Sequence, residues 1–88
     1  MVRRTVKSLV TERGKAYGPP SENHWRTARF WHAYDLNTKS SSRTPIDVCF
    51  LNILQKIARC QSEAGPSRDS LQDIKGYAEN ILMIMGHD

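Results

Sequence analysis

The stretch "TPIDVCFLNILQKIARCQ", Thr44 to Gln61, carries the fold in its spacing. Thr44 stands where a helix N-cap belongs. Pro45 suits the first turn, because its missing N–H is not needed there, and Asp47 at the third position makes an acidic capping box. Ile46, Cys49, Phe50, Ile53, Leu54, Ile57 and Ala58 then recur with a helical period, which predicts a broad apolar face over residues 45–61. This helix is expected at the centre of the core.

On its N-terminal side, "NTKSSSRTP" is polar and serine-rich and reads as an exposed loop over 37–44. Before that loop, "SENHWRTARFWHAYDL" predicts a helix over 21–36, with Ser21 as N-cap and Glu22 matched to the helix dipole. At about 100° per residue, Trp25 and Leu36 fall together, Phe30 and Tyr34 lie on the far side, and Trp31 lies between. A helix apolar on all sides is normally buried. So short a chain has few elements to bury it, and self-association is expected. A weakly apolar helix over about 3–16, anchored by Val6, Leu9 and Val10, precedes it, and Gly18-Pro19-Pro20 ends that helix.

On the other side, "SEAGPSRDS" breaks the chain at Gly65-Pro66. Either Ser67 or Ser70 starts a last helix over about 69–85, with Leu71, Ile74, Ala78, Ile81, Leu82 and Met85 on one stripe. Nothing alternates with the period of a strand. The expectation is all-α: one domain over 1–88, a small bundle of about four helices completed by oligomerisation.

The totals narrow the chemistry. A chain of 88 residues buries little of its surface and is marginal as a monomer. Thirteen Lys and Arg against nine Asp and Glu give +4 and a pI near 9.4, which favours anionic partners. Cys49 and Cys60 lie about three turns apart on one helix and cannot pair within it. Two free thiols without zinc spacing, no signal-like N-terminus and no apolar stretch of membrane length predict a soluble protein of the cytoplasm.

Several polar positions exceed what packing needs. Asn52, Gln55, Lys56 and Arg59 form one ridge along the 45–61 helix. That ridge is either a solvated face or an anion site, since Lys56 and Arg59 one turn apart can reach one phosphate. On the last helix, Asp69 and Asp73 complement the dipole, pair with the basic ridge, or hold a divalent cation. Gly76 in mid-helix costs about 1 kcal/mol against alanine, so a close neighbour is expected there, either another helix or a ligand. His24, His32 and His87 lack ligand spacing, and no P-loop, dinucleotide fingerprint, serine elbow or zinc motif is present. Nucleic-acid binding has the charge but no recognisable reading motif.

Taken together, "RGKAYGPPSENHWRTARFWHAY", "TPIDVCFLNILQKIARCQ" and "RDSLQDIKGYAENI" resemble a group of small phage and prophage proteins of unassigned function. The shared pattern looks like Y-G-x-P-x-E-N, W-x-A-Y, L-x-K-x-A-R and D-S-x-x-D-I-x-G-Y-A, and it spans about Glu12 to Leu82. More distantly it is similar to all-α nucleotide pyrophosphohydrolases, which hold magnesium with paired acidic motifs. The second such motif would correspond to Asp69 and Asp73, whereas the first, E-x-x-E, is absent. The resemblance implies, by analogy with small phage proteins that sequester immune nucleotides, a homo-oligomer that binds a nucleotide or cyclic nucleotide without turnover. Its site would join Tyr17, Gly18 and Asn23 at the hinge to Asn52, Lys56, Arg59 and Tyr77, with no catalytic residue and no cofactor. The enzyme alternative would need magnesium on Asp69, Asp73 and a third acid, Asp47 or Glu22. A third reading is a phage protein that binds a host protein through its aromatic helix.

Overall fold

The computed structural model describes residues 19–39 and 41–88 of the chain; the expected helix over 3–16, and Tyr17 and Gly18 with it, lie outside them. Three helices and no strand occur among the described residues: α1 (Pro20–Thr38), α2 (Pro45–Cys60) and α3 (Arg68–Met85). The fold is all-helical, with α2 packed against both α1 and α3. Paired positions 26 with 58, 31 with 51 and 34 with 47 show that α1 runs antiparallel to α2.

The capping box of α2 forms as its sequence spells. The Thr44 hydroxyl accepts from the Asp47 N–H, and the Asp47 carboxylate accepts from the Thr44 N–H at 2.8 Å. Ser67, rather than Ser70, caps α3 by accepting from the Ser70 N–H at 3.1 Å. At α1 the expectation fails, because Pro19 occupies the N-cap and Ser21 lies inside the helix. Pro20 at the first helical position has φ preset and no N–H to satisfy, so the start needs no side-chain cap. The helix also runs past Leu36 to Thr38 before Lys39 closes it in the left-handed conformation, φ 55°. Gly65 turns the chain between α2 and α3 at φ 73°, a region open to glycine at little cost.

The core is small and does not follow the predicted stripes in full. Among the described residues Cys49, Leu51, Ala58 and Ile81 are the buried apolar ones, joined by Asn23, Thr27 and Ser70. Leu51 was outside the predicted α2 face, whereas Phe50, inside it, is 42% exposed. The reason is that α2 has two neighbours, and α1 meets it at Leu51 as well as at Ala58, so burial is not confined to the apolar stripe. Within the single chain α1 is not buried all round. Trp25 is 64% exposed and Leu36 63%, and small polar residues, Asn23 and Thr27, occupy the buried face instead. Ala58, with no exposed surface, marks a close approach between helices.

Candidate functional site

Three side chains of α1 hold it to α2. Arg26 Nε donates to the Ala58 carbonyl at 3.1 Å, and Trp31 Nε1 donates to the Leu51 carbonyl at 2.9 Å. Ala58 lies in the last turn of α2, where its carbonyl also accepts from the Gln61 N–H at 3.2 Å and the dipole is negative, so a guanidinium there is favourable. The third fastening is the Tyr34 hydroxyl, which donates to Asp47 Oδ1. The Tyr34 and Phe50 rings stack at a tilt beside it, with centroids 6.3 Å apart.

The Tyr34–Asp47 pair is electrostatically polarised. Partial burial, with the bond to Asp47 and its negative charge, pushes the Tyr34 phenol up to about 12. Asp47 is held below the usual carboxylate range by the Thr44 backbone N–H first, then by the Tyr34 and Thr44 hydroxyls. At neutral pH the pair is therefore phenol and carboxylate. It is a strut, with both Asp47 oxygens occupied, and not a proton donor waiting for a substrate.

Of the residues expected to form an anion site, Asn23 lies on α1, Asn52, Lys56 and Arg59 on α2 and Tyr77 on α3, while Tyr17 and Gly18 lie outside the described residues. Lys56 Nζ lies 3.1 Å from Asp73 Oδ2, and the lysine side chain is only 13% exposed. The second of the readings given to Asp73, pairing with the basic ridge, thus describes its position. Asn52 and Arg59 are half-buried along α2, and Tyr77 is half-buried on α3. Asn23 is buried, and its Oδ1 has no hydrogen-bond partner among the described residues. Tyr77 lines a shallow depression of about 240 Å³ with Gln72, Asp73, Gly76 and Asn80, all on α3. Nothing among the described residues approaches Gly76: a Cβ built there meets no atom within 4 Å, so of the two neighbours expected the packed helix is not found there. No group of three or more His, Cys, Asp or Glu among the described residues is placed to hold a metal ion, and Asp47, one proposed third acid, is committed to the cap.

Charge is divided along the chain. Residues 1–18 contain five Lys and Arg and one acid, while the remaining seventy contain eight of each. The described helices are therefore balanced, and the whole +4 belongs to the first eighteen residues. Sequence reading missed this, although a running sum shows it.

What sequence reading also missed is the outer ridge of α1. Trp25, Arg29, His32 and Leu36 follow at i, i+4, i+7 and i+11, all exposed, on the side away from α2. The grouping of Trp25 with Leu36 was legible; its outward direction required the register set by Arg26, Trp31 and Tyr34.

The family description of DUF6378, a domain of unknown function, matches residues 1–83. The chain belongs to the DUF6378 family. The Gene 55 protein of Mycobacterium phage L5 is 43% identical over 75 residues, covering 84% of this chain and 46% of that protein. The Gene 55 protein of Mycobacterium phage D29 is 45% identical over 67 residues, covering 76% of this chain and 41% of that protein. This DUF6378 chain thus spans less than half the length of the curated relatives it matches. No solved structure matches it. The phage-protein resemblance stands in these relatives, whereas the likeness to nucleotide pyrophosphohydrolases has no counterpart among them. Among the described residues no helix is long and apolar enough to cross a membrane.

Proposed function

We propose that this DUF6378 domain is a non-catalytic phage binding module that lays the outer ridge of α1 into an apolar, acid-rimmed groove of a protein partner. The observation that carries this reading is the exposure of Trp25 and Leu36, about 16 Å apart along one side of a helix whose other side is fastened to α2. Anchors at i, i+4, i+7 and i+11 suit a helix received in a groove. Tryptophan and arginine are the residues most often carrying binding energy at such surfaces. Arg29 forms no ion pair among the described residues, which leaves it available to an acidic rim.

The test compares wild-type chain with the Trp25→Ala/Leu36→Ala double variant, first in capture from infected host cells and then by calorimetry with the purified partner. Both residues are exposed, so the variant keeps its helicity. Loss of about 2–4 kcal/mol of binding is expected, corresponding to a Kd weakened at least tenfold. Unchanged affinity would overturn the reading.

A second reading, a nucleotide or cyclic nucleotide held without turnover, is favoured by one observation: the buried Asn23 Oδ1, in the first turn of α1, has no donor among the described residues. A ligand amine would satisfy it. In this reading Lys56 must leave Asp73 to meet a phosphate, and the chain would act as a homo-oligomeric sponge against an immune signal. Incubation with a nucleotide panel and Mg²⁺ separates the cases. Turnover marks an enzyme, depletion with intact ligand recovered after heating marks a sponge, and no change removes both.

A further inference from the structure

The apolar stripe of α3 is wider than the face that α2 covers. Ser70 and Ile81 are buried and Ile74 is half-buried, so the covered line runs along them. Roughly a quarter-turn away, Leu71 at 53%, Leu82 at 67% and Met85 at 64% stand exposed, with Ala78 among them. A half-used stripe on a helix of 18 residues, about 27 Å long, needs a cover of its own shape.

The order of side chains specifies that cover. Counted from Ala78, the exposed apolar positions are Leu71 at −7, Leu82 at +4 and Met85 at +7, and the half-buried Ile74, at the edge shared with the covered line, stands at −4. The pattern is symmetric about its smallest residue. A two-fold axis requires that symmetry, because an antiparallel copy places position +n opposite −n and presents one patch to itself. Ala78 at the crossing lets two helix axes approach to about 8 Å. The charges agree with the same arrangement: Lys75 at −3 and Glu79 at +1 lie on the same flank, so each Lys75 falls about 3 Å along the axis from the partner's Glu79. A depression of about 440 Å³ lined by Arg68, Leu71, Gln72 and Lys75 lies at the level where the partner's Met85 would come.

We propose that α3 pairs antiparallel with the α3 of a second copy of this chain, about a two-fold axis at Ala78, with Leu71 against the partner's Met85. The contact is one helix wide and smaller than the roughly 800 Å² per partner of a standard interface, so the dimer is a concentration-dependent one. It leaves the outer ridge of α1 free.

Sedimentation velocity of the full chain from micromolar to millimolar concentration is expected to show a monomer–dimer shift. Leu82→Glu, at an exposed position, is expected to abolish the shift with its circular dichroism unchanged. Ala78→Cys is expected to give a disulfide-linked dimer on mild oxidation, while Asn80→Cys, half a turn away, and the wild-type thiols do not. A monomer at every concentration, a dimer that survives Leu82→Glu, or equal cross-linking at positions 78 and 80 would each overturn the proposal.

Discussion

The two junctions on α2 are built from different materials. On the α1 side, three directional hydrogen bonds from Arg26, Trp31 and Tyr34 fix the helix at points spread over more than two turns. On the α3 side, apolar burial at Cys49 and Ile81 is joined by one ion pair, Lys56 with Asp73, whose acid is half-exposed. Hydrogen bonds specify a register that slippage would break, whereas apolar contact tolerates small shifts. The α1 junction therefore defines which face of α1 looks outward. The α3 junction leaves an apolar flank uncommitted.

Trp31→Ala should strain this contrast most. It removes an indole packed on α2 together with its bond to the Leu51 carbonyl, and about 3 kcal/mol of stability is expected to go, read from urea unfolding. A loss under about 1 kcal/mol would mean that apolar contact alone fastens α1. Asp47→Asn should come next, since it weakens the cap and the strut together. Because folding lowers the Asp47 pKa, its contribution is present above the ordinary carboxylate range and fades as pH falls below about 4, where variant and wild type should converge. Convergence at neutral pH instead would show the strut to be idle.

The partner phenol gives the opposite pH limb. Folding raises the Tyr34 pKa, so the folded chain holds that proton more tightly, and the stabilisation is complete below about pH 10 and lost as pH climbs toward about 12. Ultraviolet titration should show one late phenolate that disappears in Tyr34→Phe; early titration of every tyrosine would remove the strut from the account.

Smaller effects probe the α3 side. Gly76→Ala should add about 0.5–1 kcal/mol, because the added methyl meets open space and the unfolded chain loses freedom. Destabilisation would reveal a neighbour at that surface. Asp73→Asn should cost least, about 0.5 kcal/mol, being one partner of a half-exposed pair. A cost of several kcal/mol would make the α3 junction as specific as that of α1.

Much of the fold was legible because it is local. The α2 capping box, the Gly65-Pro66 break and the limits of α2 and α3 are written within a few residues of where they act. The start of α1 was misplaced because two adjacent prolines, Pro19 and Pro20, can each precede or open a helix, and only the backbone geometry separates them. The candidate site was less legible. Lys56 and Arg59 carry the spacing of an anion site, but whether a lysine is open or claimed depends on a carboxylate seventeen positions on, at Asp73. Likewise, apolar residues all round α1 announced contact without saying that Asn23 and Thr27 would occupy the buried side. Small polar residues at i and i+4, ahead of Trp31, were the signal that could have shown it.

Two of the three acceptors that fix α1 are main-chain carbonyls, those of Leu51 and Ala58. A carbonyl is the same atom whatever residue bears it. The genetic instruction for the register is therefore lopsided, written in the side chains of α1 and read from an α2 backbone that substitution cannot erase. Drift in α2 can alter the fit of this joint but not delete its sockets, while a single change at Arg26 or Trp31 removes a peg.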